Sequence, residues 1–91
     1  MKYTIKTTKT FTKDLKLMAK RGGNIEELYR VVGLLANGEA LPVSMRDHAL
    51  SGDFKGHREC HIRPDWLLIY KIDQNVLVLS LVRTGTHSDL F

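Results

Sequence analysis

Polar and apolar residues alternate at the start of the chain. In residues 2–7, Lys-Tyr-Thr-Ile-Lys-Thr, the apolar side chains of Tyr3 and Ile5 fall on one face. A period of two residues with aromatic and β-branched side chains is typical of a strand that is half buried or lies at a sheet edge. The pattern therefore predicts a first strand here.

From Thr10 the apolar spacing changes to that of helices. One face of the first amphipathic stretch carries Phe11, Leu15, Met18 and Ala19. The stretch ends at Gly22-Gly23, where glycine readily takes the left-handed cap conformation. Asn24 can cap a second helix that runs to about Asn37-Gly38. Its apolar stripe comprises Ile25, Leu28, Val31, Val32 and Leu35. The short turn predicts an antiparallel hairpin whose stripes form a shared apolar face.

Three further apolar runs follow a long connection. Residues 38–53 contain glycine, proline and short polar side chains, which favour a surface loop. The runs at 55–62, 66–72 and 76–83 are separated by short turn segments, which indicates an antiparallel meander. The middle run is apolar on both faces, as in a central strand. The order β-α-α-β-β-β predicts an α+β fold, a helix hairpin packed on a small antiparallel sheet, in one domain of residues 1–91.

Composition narrows the range of functions. Fourteen Lys and Arg against ten Asp and Glu give a net charge of +4, which favours an acidic partner such as nucleic acid, although many small basic proteins bind no polyanion. The only cysteine, Cys60, cannot form an internal disulfide and fits a reducing compartment. No apolar run is long enough to span a bilayer, and Met1–Thr10 lacks a signal-peptide core. We therefore expect a cytoplasmic protein that does not associate with membranes.

The histidines are all in the second half of the chain. They are His48, His57, His61 and His87. Strand alternation places His57, Glu59 and His61 on one face of the first run of the meander. Imidazole titrates near pH 6.5 and can donate or accept a proton at cellular pH. A single histidine is more often an ordinary surface or hydrogen-bonding residue, so the grouping carries this argument.

Proton transfer alone can cleave RNA. A base removes the 2′-OH proton, the oxygen attacks the adjacent phosphorus, and an acid protonates the departing 5′ oxygen, while cations stabilise the charge on the phosphorane. The candidate proton-transfer residues are His48, His61, Asp65 and His87. The candidate cations are Lys55, Arg63 and Arg83. No metal-binding histidine spacing is present on a helix, so we expect neither a metal site nor a cofactor.

Two aromatic residues each have two interpretations. Trp66, at the start of a predicted strand, is either a core residue or a platform on which a base stacks. Phe91 is either a frayed chain end or an aromatic that stacks on an exposed RNA base.

Two blocks of the sequence resemble one toxin family. Residues 47–70 have the sequence DHALSGDFKGHRECHIRPDWLLIY, and residues 83–91 have the sequence RTGTHSDLF. These blocks resemble the YafQ branch of the RelE/ParE toxins at nearly every characteristic position. The helix that contains Lys13-Asp14 and its partner helix extend the resemblance over essentially the whole chain.

This resemblance implies an mRNA interferase that cleaves transcripts in the ribosomal A site. It also implies a cognate antitoxin of the RelB or DinJ type that holds the toxin inactive, with operator DNA contacted only through the antitoxin. The functional residues of the family fall on His48, His61, Asp65, Trp66, His87 and Phe91. Arg83 is then expected to contact the scissile phosphate. We expect Asp65 or His48 to be the base and His87 the acid, and we leave His57 outside the catalytic set.

A ParE-like inhibitor of DNA gyrase, without catalysis, is the alternative on the same scaffold. Fold alone does not separate the two functions. The histidine cluster favours the nuclease, because a module that only binds gyrase has no need for several proton-transfer groups.

Overall fold

The structure contains the predicted elements and two additional ones. In the computed structural model, which describes residues 1–91, the strands are β1 (Thr4–Thr7), β2 (His48–Ala49), β3 (Arg58–Arg63), β4 (Trp66–Asp73) and β5 (Val78–Gly85). The helices are α1 (Lys9–Lys20), α2 (Ile25–Ala36) and α3 (His87–Leu90). The sequence analysis did not predict β2 or α3. None of the helices combines the length and apolar composition needed to traverse a bilayer.

Helices α1 and α2 each begin directly after a residue whose side chain caps the helix N-terminus. The side chain of Thr8 accepts a hydrogen bond from the backbone N–H of Phe11, and the side chain of Asn24 accepts one from Glu26. These bonds satisfy amide groups that have no partner inside the helix. Between the helices, Gly22 has a φ of 86°, a conformation that glycine adopts without steric cost. The predicted helix hairpin is confirmed, with its turn at the two glycines.

The five strands form a mixed sheet in the order β1-β5-β4-β3-β2. Strands β3, β4 and β5 make the predicted antiparallel meander, and β2 extends it at one edge. At the other edge β1 pairs with β5 in parallel, with Thr4 opposite Val78. This pairing differs from the all-antiparallel sheet expected from the sequence. A parallel pair requires a long crossover connection, and the helix hairpin and the meander together lie between these two strands.

Strand β4 is covered on both faces. Its side chains on one face, Trp66, Leu68 and Tyr70, pack in the main core with buried residues of α1 and α2. On the opposite face, Leu67 and Ile69 pack against Leu90 of α3. We call these last three residues the small core. Leu50, Phe54 and Val82 pack around it.

Helix α3 is held by its cap, by an ion pair and by the small core. Thr86 and Asp89 form a capping box, in which each side chain accepts a hydrogen bond from the backbone N–H of the other residue. The carboxylate of Asp89 also lies 2.7 Å from the guanidinium of Arg21, next to the end of α1. The hydrogen bond from Arg21, followed by the one from the Thr86 backbone, holds the pKa of Asp89 well below its usual range. A helix of four residues is thereby fixed to the rest of the fold.

We expect Asp89→Asn to lower the free energy of unfolding by about 1 kcal/mol at neutral pH, the size usual for a helix cap or a partly exposed ion pair. The pKa of Asp89 is lowered in the folded state. Its stabilisation is therefore complete above the unfolded pKa of about 3.9 and is lost as the pH falls through the folded pKa. Urea unfolding, followed by the fluorescence of the single tryptophan, measures this effect. The difference in free energy of unfolding between wild type and Asp89→Asn should become smaller below about pH 4.

The matched control is Asp53→Asn, which removes an exposed carboxylate that forms no ion pair. It should unfold like wild type at each pH. If the difference in free energy of unfolding between wild type and Asp89→Asn were equally large at neutral pH and at about pH 2, this result would contradict the assigned role of the carboxylate charge.

Candidate active site

Three histidine rings lie in a row across the sheet face that carries the small core. The ring centroids of His48 and His61 are 6.4 Å apart, and those of His61 and His87 are 6.0 Å apart. Strand register explains the first two positions, because His48 pairs with Glu59, and His61 pairs with Leu67 on the same face. The first residue of α3 supplies the third ring. We call His48, His61 and His87 the histidine row.

Backbone carbonyl groups fix the proton positions on two of these rings. The Nδ1 atom of His61 lies 3.2 Å from the carbonyl oxygen of Pro64, and Nδ1 of His48 lies 2.6 Å from that of Arg46. A carbonyl oxygen only accepts hydrogen bonds, so each Nδ1 carries a proton. Nε2 of His61 is then the nitrogen that can accept a proton from a substrate.

A buried carboxylate lies next to His48. Glu59 is only 4% exposed, and its Oε2 atom is 3.2 Å from Nε2 of His48. Its Oε1 atom is buried without a hydrogen-bond partner. A buried carboxylate with an unsatisfied oxygen is costly, and such groups concentrate at functional sites. The sequence analysis placed Glu59 on the same face as His61 but did not include it among the site residues. The alternation of side chains along the strand was the signal that could have identified it.

Asp65 lies beside His87. Its Oδ1 atom accepts a hydrogen bond of 3.3 Å from the backbone N–H of His87 and is 3.5 Å from Nδ1 of the imidazole. Both side chains are more than half exposed. The carboxylate therefore faces Nδ1 and leaves Nε2 of His87 open to solvent. The structure thus brings all four predicted proton-transfer residues into one site.

Aromatic rings continue the line of histidines. The Phe91 ring lies 6.2 Å from that of His87 and 5.9 Å from that of Phe54, and Phe54 in turn contacts His57. Phe91 is nevertheless 64% exposed, so part of its ring is open to a stacking partner. It is packed in place rather than frayed. The sequence analysis did not identify Phe54, because a lone phenylalanine in a loop carries no periodic signal.

Trp66 does not have the exposure that an RNA contact requires. It is 4% exposed in the main core, and its indole N–H donates a hydrogen bond of 2.9 Å to Oγ1 of Thr84. That hydroxyl donates in turn to the carbonyl oxygen of Leu67. No face of the ring is open to a nucleobase, contrary to the predicted RNA contact, and Trp66 supports the site by joining β4 to β5.

Two of the three predicted cations are already paired with carboxylates. Arg83 binds Asp14 of α1 through Nε and Nη2, at 2.8 and 2.9 Å, and Nη1 has no partner. The bond with Asp14 raises the pKa of Arg83. Arg63 is paired with Glu27 of α2. Lys55 is exposed and forms no ion pair.

The side chains of the site are not grouped as a set of metal ligands. No cluster of three or more histidine, cysteine, aspartate or glutamate side chains is placed to hold a metal ion. The thiol of Cys60 does not help, because burial raises its pKa to about 12 and disfavours the thiolate.

Comparison with known proteins gives a consistent family assignment. Residues 3–91 match the family model described as a bacterial toxin of the type II toxin-antitoxin system, YafQ. A protein from Escherichia coli K12 described as mRNA interferase toxin YafQ is 43% identical over 82 residues, which cover 89% of this chain and 87% of that protein.

Solved structures agree with the sequence comparison. A metal-bound toxin from Helicobacter pylori is 48% identical, with a TM-score of 0.92 over 98% of this chain and 99% of that one. The toxin in the E. coli DinJ-YafQ toxin-antitoxin complex is 39% identical, with a TM-score of 0.89 over 100% of this chain and 99% of that one. The family model matches residues 3–91 of this chain, and the E. coli K12 relative is 43% identical to it. The chain therefore belongs to the YafQ family of type II toxins.

Proposed function

We propose that this protein is the toxin of a type II toxin-antitoxin system and acts as an mRNA interferase, an endoribonuclease that inhibits translation. The observation that carries the proposal is the histidine row, in which the ring centroids of His61 and His87 are 6.0 Å apart and each ring has an Nε2 atom without a hydrogen-bond partner in the protein. The E. coli relative is described as an mRNA interferase, which favours the nuclease over a ParE-like gyrase inhibitor. Both cores share one sheet, which supports one domain over residues 1–91.

His61 and His87 are the base and the acid of this proposal. Nε2 of His61 removes the 2′-OH proton, and the 2′ oxygen attacks the adjacent phosphorus. The bond to the 5′ oxygen breaks as Nε2 of His87 gives that oxygen a proton, which leaves a 2′,3′-cyclic phosphate and a 5′-OH. Asp65 orients His87 through its Nδ1 side. The hydrogen bonds thus favour His61 as the base over the Asp65 or His48 expected from the sequence.

The remaining residues of the site stabilise charge and hold the RNA. Both ring nitrogens of His48 face oxygen acceptors, Arg46 O and Glu59 Oε2, which fixes the ring beside the phosphorane. Nη1 of Arg83 and the free ammonium of Lys55 provide further positive charge. The exposed ring of Phe91 stacks on a base next to the cleaved bond.

We propose that the reaction needs no metal ion. The H. pylori relative is described as metal-bound, whereas no cluster of three candidate ligand side chains is present in this protein. Every group that the cleavage requires is a side chain of this protein, so no step depends on a metal.

The mRNA is cut in the A site of the ribosome in this proposal, which places the protein in the cytoplasm. His87 is 57% exposed and Phe91 is 64% exposed, so the site is a shallow surface with few walls of its own. A shallow site has few contacts of its own to orient the substrate, so catalysis depends more on another assembly, here the ribosome, that holds the mRNA in place. The net charge of +4 favours association with a nucleic acid assembly.

Cleavage of a defined mRNA on programmed ribosomes tests the proposed function. We expect wild type to cut the message in the presence of 1,10-phenanthroline, which chelates zinc and copper and leaves the Mg²⁺ that the ribosome needs, and His87→Ala to lose cleavage because the acid is absent, by at least about 100-fold. Because the side chain of His87 is exposed, the near-UV circular dichroism of the His87→Ala variant should match that of wild type.

Reactions without ribosomes and with zinc restored after the chelator are the controls. Cleavage that 1,10-phenanthroline abolishes and zinc restores would refute the metal-free mechanism. An unfolded His87→Ala variant would remove the evidence for its catalytic role, and absence of cleavage by wild type in all conditions would refute the nuclease.

Glu59→Gln separates the charge of this carboxylate from its shape. Because the buried negative charge pairs with His48, we expect cleavage to slow by about 10–100-fold while stability is unchanged or higher, since burial of an unpaired charged oxygen is unfavourable. Single-turnover cleavage and urea unfolding measure the two effects. Glu39→Gln, at an exposed site outside the active site, is the control. Unchanged cleavage by Glu59→Gln would show that Glu59 is only structural.

We further propose that an acidic antitoxin of the RelB or DinJ type inactivates the toxin by covering the histidine row or by displacing α3, and that operator DNA is contacted only through the antitoxin. A YafQ protein is in complex with DinJ in the E. coli structure. Hydrogen exchange of the complex should change in residues 86–91 and in β3, with protection if the row is covered and faster exchange if α3 is displaced. Protection confined to the outer face of α1 and α2 would rule out both versions.

A further inference from the structure

A cavity opens beside His61 at one end of β3. Its volume is about 360 Å³, and its lining comprises Ser44, Met45, Arg46, His61, Ile62, Arg63 and Pro64. Ligand pockets range from about 300 to 1,000 Å³, so this one is of a size for one small group. The proposed base thus forms one wall of a hollow that the cleavage step itself does not use.

Arg46 provides the free charge of this cavity. Arg63 also lines it, but its guanidinium is paired with Glu27. Arg46 is exposed, forms no ion pair and has a φ of 48°, a left-handed conformation that is unfavourable for a residue with a Cβ atom. Such strain concentrates at functional sites. The Arg46 carbonyl oxygen accepts the hydrogen bond from His48 Nδ1, so one residue both borders the cavity and fixes the histidine row.

The lining matches the chemistry of a nucleotide. Met45 and Pro64 supply an apolar surface for the flat face of a base. The guanidinium of Arg46 is a planar donor suited to a phosphate oxygen. The chain that is cut must continue on both sides of the scissile bond, so a nucleotide next to that bond lies within reach of a cavity walled by His61.

We propose that this cavity is a subsite for the nucleotide adjacent to the cleaved bond of the RNA substrate, with its phosphate on Arg46 and its base against Met45 and Pro64. The inference rests on the proposed nuclease function and adds a specificity element to it. Phe91, at the far end of the histidine row, holds a base on the opposite side of the cut. The RNA is then gripped on both sides of the reacting phosphate, and base preference at one flanking position comes from this cavity.

Arg46→Gln tests the subsite, because it keeps most of the side-chain length and removes the charge. On programmed ribosomes we expect KM to rise about 10-fold, the usual effect of losing a charge-assisted hydrogen bond, while kcat changes less than about 3-fold. Arg46→Lys should recover most of the loss. A message with an abasic nucleotide should raise the KM of wild type at either flanking position, and Phe91→Ala should remove this effect only at the position opposite the cavity. Lys71→Gln removes an equal charge from an exposed site outside the cavity and should behave like wild type.

The split between KM and kcat distinguishes binding from support of His48. A fall in kcat with unchanged KM would mean that Arg46 acts only through His48 and would overturn the subsite. Equal behaviour of Arg46→Gln and Lys71→Gln, or insensitivity to abasic nucleotides on both sides, would overturn it as well. Absence of any cleavage by wild type would refute the nuclease itself, a result distinguishable from these.

Discussion

The apolar contact of Leu90 with Leu67 and Ile69 determines whether the site exists as a unit. Burial of these side chains removes apolar surface from water on the sheet face opposite the main core. His87 and Phe91 lie on either side of Leu90 along the chain, so the contact brings both of them over β4. The other two members of the histidine row belong to the sheet and its short edge strand. The complete row therefore depends on a core of three residues rather than on the larger core beneath the two long helices.

The two nitrogen atoms of each imidazole have different surroundings in this site. Carbonyl oxygens of Arg46 and Pro64 and the carboxylate of Asp65 face the Nδ1 atoms, which fixes the orientation of each imidazole. The Nε2 atoms of His61 and His87 stay free for substrate. Glu59 differs from these supports because it is buried, and a charge in such surroundings is felt more strongly than one in water. Rigid partners thus surround the groups that we propose to transfer protons, an arrangement that reduces reorganisation during a reaction.

Local patterns predicted much of this structure and failed where partners are distant in sequence. The helices, the meander and the shared face of Glu59 and His61 follow from spacing within a few residues. The pairing of Arg83 with Asp14 spans 69 residues, and that of Arg63 with Glu27 spans 36. No local signal reveals such pairs, so both arginines were predicted as free cations. The strand β1 has four residues and little to define its register, hence its parallel pairing was missed. The capping box of α3, in contrast, was present as Thr86-x-x-Asp89 and was overlooked.

The parallel pairing of β1 with β5 also sets the order of events during synthesis. Thr8, directly after β1, bonds to Val82, 74 residues further along the chain. At about 5–20 residues per second, the first strand waits roughly 4–15 s for its partner. Its short length and exposed Lys6 make it a poor template for other strands in that interval. Helix α3 follows β5, so His87 reaches His61 only after the sheet is complete. It follows that the histidine row cannot assemble on a growing chain before both β5 and α3 have left the ribosome.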